Sequence, residues 1–259
     1  MHTSSHTGIT YLRQIAAQAL ELGLDVRALL SAAGLREHDL VDSMLQMPIE
    51  KISAFATEAI ARSGATGFGV LAGRRLLPSS HGIVGLAAAA SPNIRAAMQM
   101  VERFVGLRTG VISIRTRVVH GRFEVCLVPA LGLGAASNPV TEIAVVAVKN
   151  IADDLVPQHR ATYTRACFNF PEPPHGELAR AILGCEVRYG QTWSGLSFAL
   201  SLAEQASSKH DPLVLAEAMR ICTEEFKKLR SPRWPPQTAP LMAGQTAPGR
   251  TGWIMTIPG

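Results

Sequence analysis

The chain has 259 residues, of which 47% are hydrophobic and 17% charged, and its formal net charge is +5. This length allows one large domain or two small ones, and no apolar run approaches the roughly 18 residues that a membrane helix needs. The first ten residues lack the basic start and the apolar middle of a signal peptide. We therefore expect a cytoplasmic protein that does not enter a membrane.

The excess positive charge is confined to the C-terminal end. Five of the 25 basic residues follow Phe226, where no Asp or Glu occurs, and the remaining basic residues match the 20 acidic ones in number. A nucleic-acid surface needs clustered Lys and Arg, so this neutral body argues against direct DNA contact. The four cysteines are widely spaced and form no CxxC pair, which favours buried free thiols over a disulfide framework or a metal site.

Two short helices are predicted near the N-terminus. Apolar residues recur at helical spacing up to Gly23, and Asp25 is placed to cap a second helix that Gly34 closes. The pair carries few basic residues to meet phosphate, so packing explains it better than a DNA-reading helix-turn-helix. A third helix is predicted after Pro48, followed by a short helical segment within residues 66–73.

The stretch that follows is the most informative in the chain. Residues 82–90 are almost all small and apolar, which predicts a helix buried on all sides. Ser91 and Pro92 are typical of the N-cap and first position of another helix, whose apolar face begins at Ile94. The sequence thus predicts a buried helix, a capped break and an amphipathic helix.

The pattern then changes from helical spacing to alternation. Residues 111–119 and 122–128 alternate apolar with polar side chains around a His120-Gly121 turn, which predicts a β-hairpin. A long helix begins at Asn138-Pro139, and its apolar character fits either a central helix packed on a sheet or a dimer interface. The remaining predicted elements are a strand over 161–170, a helix over 176–183, strands over 185–189 and 195–200, and a helix capped by Asp211-Pro212.

The order of these elements resembles the effector-binding half of AraC/XylS-type transcription regulators. The best marker is Gly82–Gly85 together with Ser91–Ala97. Later segments agree with it, namely Phe168–Pro174, Cys185–Val187, Leu196–Phe198 and Asp211–Leu213. The resemblance spans residues 10–228 and implies an α+β fold, with N-terminal helices and a small, mainly antiparallel sheet that includes a hairpin and is packed by long apolar helices. It also implies a domain that binds a small, often amphipathic effector and forms a homodimer.

Such a domain is normally followed by about 100 residues that hold two helix-turn-helix units. Here six of the 16 prolines follow Ser231, with no acidic residue and no visible period, which favours a disordered segment. We therefore expect residues 1–229 to form the effector-binding and dimerisation domain and residues 230–259 to form a Pro-rich basic tail. DNA contact would then require a helix-turn-helix domain that we expect to be absent from this chain.

No catalytic, cofactor-binding or metal-binding motif is found, because the sequence has no nucleophile elbow, P-loop, dinucleotide fingerprint or zinc-protease helix. His81 and Arg103 lie within the marker block, where a titratable or charged group beside an apolar pocket would hold the polar end of a ligand. Arg117 on the hairpin is a further candidate. The alternative for Arg103 is a structural role at a carboxylate or a helix end, and His175 is predicted to lie in a solvated turn.

Three functions are compatible with these features. We favour an effector-sensing domain that shifts between two states on binding a small molecule. A ligand-free interaction module, which pairs with an intact regulator and weakens it, is the alternative. An enzyme with an unrecognised site is less favoured, because no cluster of Asp, Glu, His or Cys forms a catalytic motif.

Overall fold

The computed structural model describes residues 6–41, 46–63, 67–157 and 163–230. Its helices are α1 (Ile9–Glu21), α2 (Val26–Ala32), α3 (Ile49–Ser63), α4 (Phe68–Arg74), α5 (Gly82–Ala89), α6 (Ile94–Phe104), α7 (Ser137–Leu155), α8 (Gly176–Leu183), α9 (Leu200–Ala203) and α10 (Pro212–Arg230). Its strands are β1 (His6–Gly8), β2 (Gln46–Pro48), β3 (Ile112–Val119), β4 (Arg122–Pro129), β5 (Thr164–Cys167), β6 (Glu186–Arg188) and β7 (Ser194–Ala199). The predicted α+β class is confirmed.

The larger sheet has five strands in the order β3-β4-β7-β5-β6. Every neighbouring pair is antiparallel except β5 and β6, which are parallel. The β3–β4 hairpin turns at His120 and Gly121, whose φ angles are 47° and 72°. Positive φ at both central residues is the requirement of a type I′ turn, which matches the twist of the strands it joins. The predicted hairpin is therefore confirmed.

Helix α7 lies at the centre of the fold, between the sheet and α4. It packs on β4 and β7 on one side and along α4 on the other. The approach to α4 is close, since a Cβ added at Gly73 would lie 2.7 Å from the Cβ of Val146. Asn150 of α7 donates hydrogen bonds to the carbonyls of Gly73 and Leu76, at 3.1 and 3.0 Å. Burial on two sides explains the apolar character of α7 without a dimer interface.

Two large apolar cores meet at this helix. The larger core fills the space between the sheet and helices α5, α6, α7 and α10, and includes Phe104, Phe123 and Phe198. The smaller core joins α1, α2, α3 and α4 to Ile143 and Ala147 of α7. The short strands β1 and β2 pair antiparallel beside the smaller core. Strands of three residues are too short to leave an alternating pattern, and the sequence did not predict them.

The helix caps confirm two predictions and correct a third. Asp25 accepts a hydrogen bond from Ala28 N at 3.0 Å, and Asp211 accepts one from Val214 N at 3.0 Å, as expected of N-caps. The prediction of Ser91 as the N-cap of α6 is wrong. The cap is Asn93, because the buried Ser91 hydroxyl instead donates to Ala87 O, at 2.8 Å, and closes the preceding helix.

Several predictions fall at the edges of the described residues. The Pro-rich tail over 231–259 lies outside them, as do residues 161 and 162 of the strand predicted over 161–170. All four cysteines are free; Cys167 and Cys222 are buried and the other two are half-buried. Among the described helices, none combines the length and the apolar character needed to cross a bilayer.

Candidate functional site

A cavity of about 110 Å³ lies between the N-terminal helices and the sheet. Most of its wall is aliphatic, and helix α7 supplies one complete face of residues three or four positions apart. The aliphatic lining consists of Ile15, Ile52, Leu76, Val84, Val101, Val105, Val111, Ile112, Ile114, Val140, Ile143, Ala144, Ala147, Val148 and Ile151. An apolar cavity of roughly 150 Å³ in another protein holds benzene, so this volume suits a small apolar group.

The polar residues of the lining gather around the N-terminal segment. The Tyr11 hydroxyl lies 2.9 Å from Nδ1 of His81. Beside them, the Thr7 and Thr109 hydroxyls lie 2.9 Å apart, and Thr109 also accepts a hydrogen bond from Val111 N at 3.0 Å. These pairs join the N-terminal segment to the body of the domain across one end of the cavity.

The electrostatics of this polar end are set by burial and by Arg108, which also lines the cavity. Burial raises the pKa of Tyr11 to about 12, against the opposing charge and hydrogen bonding of Arg108. Burial and, secondarily, the charge of Arg108 lower the pKa of His81 to about 4. Near neutral pH both groups are therefore uncharged. Of the described residues that line the cavity, Arg108 alone carries a formal charge.

Arg108 is held between two glycines rather than by a carboxylate. A Cβ added at Gly82 would lie 3.2 Å from its Cζ, and one added at Gly8 would lie 3.6 Å from its Nη2. The Arg108 Nε is buried without a hydrogen-bond partner, and so is the Nε2 of His81. Within the described part of the chain, no salt bridge to Arg108 is found. The polar end therefore presents two unsatisfied nitrogens.

A known sequence family matches most of this chain. The sequence model described as the N-terminal arabinose-binding domain of AraC transcription regulators matches residues 23–207. The chain belongs to this family. The resemblance drawn from the Gly82–Gly85 and Ser91–Ala97 block is thereby confirmed.

Two relatives of this arabinose-binding-family domain come from Pseudomonas aeruginosa. The ornithine utilization regulator is 24% identical over 220 residues, which cover 85% of this chain and 65% of the regulator. The crystal structure of the transcriptional regulator CdpR superposes with a TM-score of 0.53 at 16% identity, over 73% of this chain and 63% of that one. The second likeness shows the shared fold alone. Both relatives are named as transcription regulators, and the family model describes a domain of such regulators rather than of an enzyme.

The three site residues predicted from the sequence lie in different places in this regulator domain. His81 lines the cavity. Arg103 is exposed outside it, with its guanidinium 4.9 Å from the ring centre of Phe104. Arg117 is also exposed and outside the cavity, where its Nε donates to Glu124 at 2.7 Å. The structure thus brings neither arginine to the cavity that His81 lines.

Arg108 is the charged cavity residue that sequence reasoning missed. It follows α6 in a short turn where a lone basic residue is unremarkable. What distinguishes it is its position between Gly8 and Gly82, and those contacts are long-range in sequence. No local pattern in the chain encodes them.

A second buried polar pair lies away from the cavity, between α7 and α8. His175 Nε2 is 2.6 Å from Oε1 of Glu142, and the two side chains are only 13% and 3% exposed. Burial raises the pKa of Glu142, and the hydrogen bond from His175 opposes that change. The prediction that His175 is solvated is wrong, because the turn before α8 points its ring inward. Among the described residues no group of His, Cys, Asp and Glu could hold a metal ion, and we assign this pair a structural role.

Proposed function

We propose that this chain is the effector-sensing and dimerisation domain of an AraC-type transcription regulator, and that it binds a small amphipathic molecule. The cavity supports the proposal, because its walls are aliphatic and its polar groups lie together at one end. Ligand sites combine an apolar lining with a few polar groups that fix the orientation of the ligand. A sugar fits this lining poorly, since most of its hydroxyls would be buried without partners.

The position of the cavity suggests how binding is transmitted. Thr7 and Tyr11 belong to the N-terminal segment, whereas His81, Arg108 and Thr109 belong to the body of the domain. A ligand at the polar end contacts both parts and stabilises the arrangement in which they are closed together. A ligand shifts a two-state equilibrium by its difference in affinity for the two states, and here that difference would come from these contacts.

For this shift to change transcription, it must reach a DNA-binding domain, which the described residues do not include. The chain spans 65% of the length of the ornithine utilization regulator, and we assign DNA contact to a helix-turn-helix domain outside the described residues. A homodimer would bring two such domains to neighbouring half-sites. We place the protein in the cytoplasm because its relatives are bacterial regulators of transcription. The open cavity counts against the alternative of a ligand-free interaction module, for which a cavity closed by side chains would be expected.

Thermal unfolding in the presence of a panel of small amphipathic molecules tests the sensing function. A ligand at a hundred times its Kd stabilises the folded state by about 2.7 kcal/mol, and about 1 kcal/mol raises the Tm by roughly 2–4 °C in a domain of this size. The variant Ala144→Phe fills the cavity and should lose the response. Ala216→Phe places the same ring on the exposed side of α10 and should keep it. A wild-type protein that responds to no member of the panel would contradict the proposal.

A further inference from the structure

Two nitrogens at the polar end of the cavity lack hydrogen-bond partners although they are buried. They are the Nε of Arg108 and the Nε2 of His81. A buried donor without an acceptor destabilises a protein, and more strongly when it is charged. Such groups in a native fold require an explanation, and one explanation is a bound molecule that supplies the acceptor.

Both nitrogens are donors, because the Nε of arginine always carries a hydrogen and the hydrogen bonding of Tyr11 fixes the tautomer of His81. Arginine has no acceptor atom, so the hydrogen of the Tyr11 hydroxyl cannot be given to the neighbouring Arg108. That hydrogen goes instead to Nδ1 of His81, 2.9 Å away. A neutral imidazole carries its single hydrogen on the other nitrogen, which places it on Nε2. Arg108 Nε–H and His81 Nε2–H are therefore both buried donors that lack an acceptor.

We infer that the molecule bound in this cavity is a small amphipathic anion, whose oxyanion head is held by Arg108 and His81 and whose apolar body fills the aliphatic walls. The inference rests on the proposed function, since it specifies the chemical class of the effector. A carboxylate and a phosphate monoester share the required chemistry, and the experiment below separates them.

The charge of Arg108 favours an anion over a neutral polar group. Guanidinium does not lose its proton in proteins, so a ligand that displaces water from the cavity leaves this charge uncompensated unless the ligand carries a negative charge. Among the described residues, no Asp or Glu lines the cavity to supply it. A planar guanidinium also matches a carboxylate or phosphate with two parallel hydrogen bonds. Gly8 and Gly82 leave room for the fork, since neither places a side chain against it.

The volume of the cavity limits the apolar body. It is about 110 Å³, somewhat smaller than the roughly 150 Å³ cavity that takes up benzene. A body of about six carbons is therefore the upper limit for this volume, and a long-chain fatty acid exceeds it. Hexanoate is therefore the probe of choice, and hexan-1-ol is its neutral counterpart of the same length.

Isothermal titration calorimetry at pH 7 tests the inference with hexanoate, hexyl phosphate and hexan-1-ol. We expect one of the two anions to bind the wild-type chain at least tenfold more tightly than hexan-1-ol. Arg108→Gln should lower the affinity for that anion at least tenfold and leave the affinity for hexan-1-ol within twofold. Arg103→Gln removes an equal charge from an exposed position five residues earlier and should bind as the wild type does. The anion that binds identifies the head group.

The outcomes that overturn this inference differ from those that overturn the proposed function. If hexan-1-ol binds as tightly as either anion, the cavity still takes up a ligand and only the anionic class is wrong. If Arg108→Gln binds the anion as the wild type does, the assignment of its head to Arg108 is wrong. If none of the three probes binds, the inference fails, and the wider amphipath panel decides the proposed function separately. If Arg108→Gln does not fold, the ratio of anion to alcohol affinity in the wild type alone decides whether the ligand is an anion.

Discussion

Gly82 packs directly against the guanidinium of Arg108, and a Cβ at this position would lie 3.2 Å from the Arg108 Cζ. The residue also has a φ of +57°, which L-residues rarely adopt. We therefore predict that Gly82→Ala has two separable effects. The backbone conformation should cost about 1–3 kcal/mol of unfolding free energy, and the methyl group should displace Arg108 and weaken binding of the anionic probe.

Gly23→Ala is the matched control, because Gly23 has a φ of +75° but no atom within 4 Å of an added Cβ. Urea denaturation should show a loss of stability for both variants, and calorimetry should show a loss of anion affinity for Gly82→Ala alone. Equal affinity in the two variants would mean that the Gly82 contact does not position Arg108.

The buried imidazole of His81 makes stability depend on pH in a defined direction. Its pKa is about 4 in the folded state and near 6.5 in an unfolded chain, so the unfolded state binds the proton first as the pH falls. The stabilisation that comes from the neutral, buried imidazole is fully present above pH 6.5. It is lost as the pH falls from 6.5 to 4. The loss amounts to about 3 kcal/mol at most, since one unit of pKa corresponds to 1.36 kcal/mol.

The stability difference between the wild type and His81→Gln, measured by urea denaturation at several pH values, isolates this contribution from other titrating groups. We expect the difference to shrink as the pH falls from 7 to 4, because glutamine does not titrate. His120→Asn, in the exposed hairpin turn, should track the wild type, since asparagine tolerates the positive φ of that position. A constant difference between wild type and His81→Gln would show that His81 titrates as it does in an unfolded chain.

The elements that were predictable from the sequence are those that carry a local signal. Helical spacing located α7 and α8, alternation around His120-Gly121 located the hairpin, and Asp25 and Asp211 were recognised as caps. The boundary of α6 was misplaced because Ser91 is as good a cap as Asn93 in sequence terms. Only the packed structure shows that the Ser91 hydroxyl bonds back to Ala87.

The candidate site was less predictable, because it is assembled from distant segments. Tyr11 and His81 are 70 positions apart, and Thr7 and Thr109 are 102 apart. His81 was found because it opens the helix of the family marker. Arg108 lies in a turn, where a single basic residue is common. Only its contacts in the folded structure indicate a role in binding.

The buried contact between Glu142 and His175 should contribute strongly to stability. Removing one member of a buried pair costs about 3–5 kcal/mol, because the other group remains buried without a partner. We expect Glu142→Ala to approach this loss, since the Nδ1 of His175 already lacks a partner. Glu142→Gln keeps the shape and one hydrogen bond and should cost less than half as much. Equal losses in the two variants, measured by guanidinium denaturation, would attribute the effect to the carboxylate charge, because Glu142→Gln keeps the volume of the side chain.

The close packing of α4 on α7 reverses a usual rule of helix substitution. Replacing glycine by alanine inside a helix ordinarily stabilises it by about 1 kcal/mol. At Gly73, however, the added Cβ would lie 2.7 Å from the Cβ of Val146 and 3.0 Å from the carbonyl oxygen of Ile143. Both partners belong to the rigid centre of the fold, so the two helices must separate.

We therefore expect Gly73→Ala to lower the free energy of unfolding by about 1–3 kcal/mol, as overpacking of a filled core does. Gly106→Ala is the control, because Gly106 lies in a short 3-10 helix with no atom within 4 Å of an added Cβ. It should be neutral or slightly stabilising in the same denaturation experiment. A stabilising Gly73→Ala would mean that α4 and α7 are further apart in solution than this packing requires. The cavity, which shares Ile143 with that interface, would then be larger as well.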